Sequence, residues 1–312
     1  MGMGVRAVVV DPDAAGGFRF DEIPEPRPAA DHIVLDVHHV SVNHGDVRPG
    51  AWPAGTVPGF DAAGVVTRTA RDGTGPAVGT RVAVFAAGAW ARRMVAGVGD
   101  LAEIPAGVDT ATAAALPVAG VTALRVLRAG GDLAGRRVLV TGAAGGVGRL
   151  AVQLAARAGA HVTASVGAKE RGAGLAALGA DAVVVGLDGV AEGLDVVVDT
   201  VGGPQLVAAW GLLGPGGEVR SVGWASGEAA VFPPYSTFAM GEPRRMVSFG
   251  DAAPAGADLA ELLALVADEA LVVDVALRLP WDRAVEAAAA LRDRRVAGKV
   301  VLDVRAADGA DG

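Results

Sequence analysis

Ala143, Gly145 and Gly148 stand at the spacing with which a backbone turn can cradle a pyrophosphate. The apolar run Arg137–Thr141 leads into them, and the amphipathic run Arg149–Gly159 follows at once. In such a strand–turn–helix unit the small Ala143 permits a tight turn. Gly145 lets the main chain approach the phosphates, and Gly148 lets helix and strand pack closely. The candidate phosphate-contacting residues are Ala143, Ala144, Gly145, Gly146, Val147 and Gly148, where unpaired N–H groups and the helix dipole favour negative charge.

The next strand tells which dinucleotide. An NAD-preferring unit carries an Asp or Glu about 20 residues past the turn, for the adenosine ribose. Here the second strand ends Thr163-Ala-Ser165-Val-Gly-Ala-Lys169-Glu-Arg171, with no acid at its tip and two cations after it. Ser165, Lys169 and Arg171 suit a 2′-phosphate, so the pattern favours NADPH. The plain alternative is that the two cations solubilise a helix start, where they oppose the dipole.

These residues must be held by two kinds of element. From about Thr110 the chain alternates helices with apolar strands, namely Arg137–Thr141, His161–Ser165, Ala182–Val185, Asp195–Asp199, Glu218–Val222 and Met246–Phe249. That alternation predicts an α/β fold with a doubly wound parallel sheet, preceded by one helix over Ala111–Arg128 and closed by Leu259–Asp268. Before it, short strands such as Val5–Val10, His32–Val40, Gly64–Thr67 and Gly79–Val84 alternate with Pro/Gly/Asp turns. These predict a partly barrel-like β-rich domain. After it come a strand (Leu271–Val275), a helix (Asp282–Arg294) and a strand (Lys299–Val304), which imply that the C-terminus rejoins the first domain. The tail Ala306–Gly312 has no periodicity and is expected to fray.

Composition removes several function classes. The 312 residues are 52% hydrophobic, ample for two cored domains. The formal net charge is −8 with no basic cluster, which argues against nucleic acid and anionic membranes as partners. With no cysteine, disulfides, thiolate nucleophiles and Cys-ligated zinc are impossible. No segment has the roughly 18 apolar residues of a membrane span, and the start lacks a signal-peptide layout, so a cytoplasmic protein is expected. Of 27 basic residues only two, Lys169 and Lys299, are lysines.

In this order and spacing the chain resembles the medium-chain dehydrogenase/reductase superfamily, in its zinc-independent quinone oxidoreductase (zeta-crystallin-like) branch. The resemblance rests on Val42-Asn43-His-Gly-Asp46, Pro58-Gly-Phe-Asp-Ala-Ala-Gly64, Gly88-Ala-Trp90, Ala119-Gly-Val-Thr122, the Ala143–Gly148 turn, Leu178-Gly-Ala-Asp181, Asp199-Thr-Val-Gly-Gly203, Leu279-Pro-Trp281 and Gly298-Lys-Val-Val-Leu302. It implies a GroES-like β-rich catalytic domain over 1–118 and 270–312, with a Rossmann nucleotide-binding domain over 119–269. The zinc enzymes of the superfamily use a Cys and a Gly-His-Glu motif; here those positions are Asn43 and Gly59-Phe60-Asp61. A zinc site is therefore excluded, and simple alcohol oxidation is disfavoured.

Without a Lewis acid, the natural hydride acceptors already delocalise charge: quinones or α,β-unsaturated carbonyls. The resemblance places Asn43 and Asp46 near the nicotinamide ribose and substrate, with turn-capping as the alternative. It also places Thr122, Ser221, Val222 and Gly223 at the nicotinamide end, in a pocket drawn from loops of both domains. The segment from Asp46 to Arg48 is about two residues shorter than in relatives, which deletes a slot where some carry an active-site tyrosine. Arg48 and Trp52 then line the substrate side, Trp52 either as a wall for a flat substrate or as a packing aromatic. His44 and Tyr235, the single tyrosine, are the candidate proton donors, with solvent as the alternative. A homodimer through the Met246–Phe249 sheet edge is implied by the resemblance alone. Two other readings stay open: a biosynthetic tailoring reductase for one enone or imine, and a non-catalytic NADPH-binding sensor or scaffold.

Overall fold

The computed structural model describes residues 4–238, 240–250 and 254–305. The chain divides into two units, residues 1–121 with 253–312 and residues 122–252. The Ala306–Gly312 tail lies outside the described residues.

The first unit opens with β1 (Val5–Val10) and β2 (Phe18–Ile23), an antiparallel pair. Five strands follow: β3 (His32–Val42), β4 (Asp61–Arg68), β5 (Arg81–Phe85), β6 (Arg93–Gly97) and β7 (Leu101–Glu103). Their β-branched, period-two patterning makes one face a core and confirms the expected β-rich domain. The long β3 is the organising strand, pairing antiparallel with β4 along one edge and with β6. The indoles of Trp90 and Trp281 are fully buried in this core, and losing either would cost about 3–5 kcal/mol. Gly59 turns with φ +86° directly under Trp90, where a Cβ would stand 2.3 Å from the indole. No other residue type fits there.

The single helix expected over Ala111–Arg128 is two: α1 (Thr110–Ala114), capped by the Asp109 carboxylate, and α2 (Pro117–Arg128). Pro117 has no N–H to continue α1 and restricts the residue before it, so the helix restarts there.

The second unit is a six-stranded parallel sheet of β8 (Arg137–Val140), β9 (His161–Val166), β10 (Ala182–Val185), β11 (Leu194–Asp199), β12 (Leu213–Ser221) and β13 (Arg245–Ser248). Its spatial order, β10-β9-β8-β11-β12-β13, is that of a doubly wound dinucleotide fold, as the alternation predicted. Helices α3 (Gly146–Arg157) and α4 (Gly203–Gly211) follow β8 and β11.

The chain then returns to the first unit through α5 (Gly256–Ala267), β14 (Val275–Pro280), α6 (Ala284–Arg292) and β15 (Lys299–Asp303). Helix α5 packs on β7 and β5, so the division falls at 252/253 rather than at 269/270. The strand expected at Leu271–Val275 begins only at Val275. Ala270 and Leu271 still donate to the Leu265 carbonyl and finish the turn that ends α5. Likewise the helix expected over Asp282–Arg294 is a 3₁₀ turn at Trp281–Arg283 followed by α6. Strand β15 pairs antiparallel with β3, Val300 opposite Val42, which sets Lys299 beside the residue after β3.

Candidate active site and cofactor cradle

The Ala143–Gly148 turn follows β8. Ala143 N–H donates to the Ser165 carbonyl (2.9 Å) and Gly145 N–H to the Gly142 carbonyl (2.9 Å). The first bond into α3 is Arg149 N–H to Gly145 carbonyl (2.9 Å). The N–H groups of Gly146, Val147 and Gly148 therefore open the helix with no intrahelical acceptor, the arrangement that receives anions. A Cβ on Gly148 would press on the turn backbone, 2.5 Å from the Gly142 oxygen and 2.6 Å from the Ala143 Cα. A Cβ on Gly145 would meet only the Gly142 oxygen, at 3.3 Å. One glycine is used for packing and the other leaves room beside the amides, so the residues present fit a pyrophosphate.

The tips of β8 and β11 are laced together where the strand order reverses. The Thr141 hydroxyl donates to Asp199 Oδ1 (2.6 Å), Thr200 N–H donates to the Thr141 hydroxyl (3.1 Å), and Gly202 N–H donates to Asp199 Oδ2 (2.9 Å). Burial pushes the Asp199 carboxyl up, against those hydrogen bonds. Beside them Gly223 approaches the Thr200 carbonyl so closely that a Cβ would lie 2.9 Å from it. Ser221, Val222, Gly223 and Thr122 are all half-buried. Trp224, which the sequence did not single out, is exposed; its indole lies on Gly202 and donates to the Glu228 carbonyl (2.6 Å).

Strand β9 carries no acid, as read from the sequence. Lys169 and Arg171 share a 3₁₀ turn after it, Lys169 exposed and Arg171 half-buried. Ser165 is a correction. It is wholly buried, its hydroxyl donating to the Gly186 carbonyl (2.8 Å) and accepting from Gln205 Nε2 (3.0 Å). With its one proton committed and no surface, it braces β9 and cannot grip a phosphate.

In the first unit, Asn43 and Asp46 close the turn after β3. Asp46 N–H donates to the Asn43 carbonyl (3.0 Å), and Asp46 Oδ2 accepts from Asn43 N–H (2.8 Å) and Nδ2 (3.1 Å). So the turn-capping role is real. The same Asn43 Nδ2 donates to Asp61 Oδ2 (3.0 Å), and Lys299 Nζ donates to Asn43 Oδ1 (2.6 Å) and Asp61 Oδ2 (3.2 Å). Asp61 Oδ1 accepts from Val118 N–H (2.8 Å). Asp46, Asp61 and Lys299 are all buried, with 3%, 0% and 4% of their surface exposed. Burial, reinforced by the charge of Asp61, pushes the Asp46 carboxyl up to about 7. In the sequence Asp61 is marked only by the Gly59-Phe60-Asp61 motif and Lys299 only as one of two lysines; the structure makes Asp61 the first residue of β4 and brings the two together.

Trp52 is half-buried with its ring centroid 5.0 Å from that of Phe60, and Phe60 meets Phe85 edge-on at 6.1 Å. Trp52 thus belongs to an aromatic cluster that begins one residue before Asp61. Arg48 is exposed, at the start of the turn that leads to Trp52.

Neither expected proton donor has a supporting environment. Partial burial and the cations Arg294 and Arg48 push the His44 imidazole down, so at neutral pH it is already deprotonated and holds no acidic proton. Tyr235 is 81% exposed with φ +66°, its ring tilted against that of Phe238 at 5.7 Å between centroids. No protein group among the described residues orients its hydroxyl.

Comparison with known proteins places this geometry. Residues 29–122 match the alcohol dehydrogenase GroES-like domain family and residues 178–302 the zinc-binding dehydrogenase family. The chain is 36% identical over 184 residues to the chloroplast envelope quinone oxidoreductase homolog of Arabidopsis thaliana, which covers 50% of this chain and 53% of that protein. It is 33% identical over 315 residues to a pikromycin polyketide synthase component of Streptomyces venezuelae, 93% of this chain but 8% of that one. The chain therefore spans about half of the plant relative and under a tenth of the synthase. A mycobacterial protein solved in complex with NADPH superposes with a TM-score of 0.84 and 27% identity, over 96% of this chain and 99% of its own. The protein belongs to the medium-chain dehydrogenase/reductase superfamily, on its quinone oxidoreductase branch.

Proposed function

We propose that this oxidoreductase is an NADPH-dependent, metal-independent reductase that transfers hydride to a quinone or an α,β-unsaturated carbonyl. One observation carries the reading. At the positions corresponding to the zinc enzymes' ligand motifs, the chain has Asn43, Phe60 and Asp61, and the amide and the carboxylate are already engaged by the internal ammonium of Lys299. The sulfur and imidazole ligands are replaced by an amide and a phenyl ring, and the remaining carboxylate is taken by an ammonium, which favours acceptors that stabilise their own negative charge.

In this reading the amides of Gly146, Val147 and Gly148 hold the pyrophosphate, and Thr122 and Ser221–Gly223 flank the nicotinamide end. Lys169 and Arg171 hold the 2′-phosphate; the missing acid on β9 removes the group that would repel it. When bound, the dihydronicotinamide supplies the hydride. Trp52 and Phe60 offer a flat acceptor an aromatic surface, and Asn43 and Asp46 supply polar groups to it. Two copies pair through β13, an edge strand whose four side chains are all exposed. Sedimentation of a Val247→Lys variant tests that pairing, a monomer being expected.

A second reading, a dedicated reductase acting on one biosynthetic enone or imine, is favoured by the match to the polyketide synthase over 93% of the chain. The deciding experiment is NADPH oxidation across a panel of quinones, simple enones and acyl-thioester enones, with product analysis. Turnover of several quinones and enones supports the general reductase, and turnover of one acyl class alone supports the second reading. NADPH binding with no oxidation by any acceptor overturns both.

A further inference from the structure

Asn43, Asp46, Asp61 and Lys299 come from three places in the chain, the turn after β3, the first residue of β4 and the first residue of β15. We propose that Lys299 and Asp61 are positioning residues for Asn43 and Asp46. The ammonium fixes which way the Asn43 amide faces and holds the cluster's negative charge on Asp61, leaving Asp46 to carry the proton that the reaction consumes. This rests on the reading above that Asn43 and Asp46 serve acceptor reduction.

The amide orientation is forced. Asn43 Oδ1 faces the Lys299 ammonium while Nδ2 faces two carboxylates. Flipping the amide would oppose donor to donor and oxygen to oxygen at every contact. Removing the ammonium removes the one partner that demands an acceptor there.

The charge distribution follows from the donor count. Asp61 accepts from an ammonium, an amide N–H₂ and the Val118 backbone N–H. Asp46 accepts from neutral donors only, and both reach the same oxygen, Oδ2. Two buried carboxylates with one cation between them cannot both ionise cheaply, and the one without the cation keeps the proton. That proton belongs on Oδ1, which has no partner among the described residues. Asp46 faces Asp61 from β4 and Lys299 from β15. From α6, Arg292 reaches the neighbouring Val47 carbonyl (3.4 Å), and in the same turn partial burial, with Arg294 and Arg48, pushes the His44 imidazole down. The raised Asp46 carboxyl agrees with this account.

For an enone, hydride from the cofactor forms the β-carbon C–H bond. The α-carbon C–H bond then forms with a proton from a bridging water, which takes the Oδ1 proton of the buried Asp46 as that O–H bond breaks. The enone is reduced by two electrons, the dihydronicotinamide is oxidised by two, and the Asp46 carboxylate recovers its proton from water.

The test uses the full chain without cofactor and follows the infrared carbonyl band of a protonated buried carboxyl against pH. Turnover pH profiles with the best acceptor of the panel are measured in parallel. The unaltered protein should show a band that fades as pH passes about 7 and that Asp46→Asn abolishes. Lys299→Met should carry the fading point at least one unit higher and shift the turnover profile with it, about tenfold in proton concentration. Lys299→Arg should return both. Asp61→Asn, nearly isosteric, should move the band the other way. If Lys299→Met does not fold, Asp61→Asn decides alone. A band and profile that stay fixed in a folded Lys299→Met or Asp61→Asn protein overturn the proposal, whatever the change in melting temperature. A band that moves as described in a protein reducing no acceptor keeps this charge arrangement and rejects the reductase reading instead.

Discussion

Lys299 Nζ donates to Asn43 Oδ1 at 2.6 Å across 256 residues of sequence. The contact exists because β15 pairs with β3 in one register, Val300 opposite Val42. A slip of one residue would turn Lys299 to the other face of the sheet. The last strand of the chain thus completes a polar cluster that the third strand begins.

Gly148→Ala should disable the cradle without removing any polar group. The new methyl would lie 2.5 Å from the Gly142 oxygen and 2.6 Å from the Ala143 Cα, both backbone atoms that cannot step aside. Overpacking of this kind costs about 1–3 kcal/mol. Denaturant unfolding should register that loss, and calorimetric titration should show NADPH affinity falling by more than about tenfold, since the turn must move to accept the methyl.

Cofactor preference should depend on Arg171 and Lys169 and not on Ser165. A hydrogen bond to a charged group contributes about 1.5–3 kcal/mol, so Arg171→Ala should raise KM for NADPH by about 10- to 100-fold while KM for NADH stays put. Lys169→Ala should act in the same direction and more weakly, as an exposed cation does. Ser165→Ala should leave the NADPH/NADH ratio unchanged and lower stability by about 1 kcal/mol, through the lost bonds to Gly186 and Gln205.

Stability should fall between mildly acidic and mildly alkaline pH because of Asp46. Its carboxyl stands at about 7 in the folded protein against 3.8 as the ordinary value, so the folded state holds the proton more tightly. A group raised in this way contributes its full stabilisation below the ordinary value and loses it as pH rises through about 7. The loss is at most about 4 kcal/mol, less where Asp61 and Lys299 readjust. Denaturant unfolding across that range should show the slope in the unaltered protein, and Asp46→Asn should flatten it by close to one proton.

The sequence displayed those parts of the fold that depend on local rules. The strand–turn–helix at Arg137–Arg157 carried its own spacing, and the alternation after Thr110 announced the parallel sheet. The misses were also physical. Pro117 broke what periodicity read as one helix, and the apolar Leu271 served a helix end rather than a strand. In the site, Ser165 had the right type and place for a phosphate, but its hydroxyl was committed to Gly186 and Gln205, partners 21 and 40 residues onward. Asp61 entered only as the last residue of the Gly59-Phe60-Asp61 motif, and Lys299 only as a rare lysine. Their mutual contact depends on strand register, and no local pattern encodes it.

Trp52→Ala should weaken binding of planar acceptors and leave NADPH binding alone. An aromatic pair contributes about 0.5–1.5 kcal/mol beyond its burial, so KM for quinones should rise about 2- to 10-fold with a smaller change in kcat. If Trp52 only packs against Phe60, the melting temperature will fall and KM for small and planar acceptors will be unaltered relative to each other.

The burial of Lys299 has a chemical consequence of another kind. With two lysines in the chain and one of them 4% exposed, Lys169 is the one side-chain amine open to reagents. An amine-selective acylating dye should therefore tag Lys169 and the α-amino group and spare the rest. Bound NADPH should shield Lys169 from that dye, and NADH should not. The protein thus carries a single built-in handle for footprinting its adenosine end, with no engineered residue.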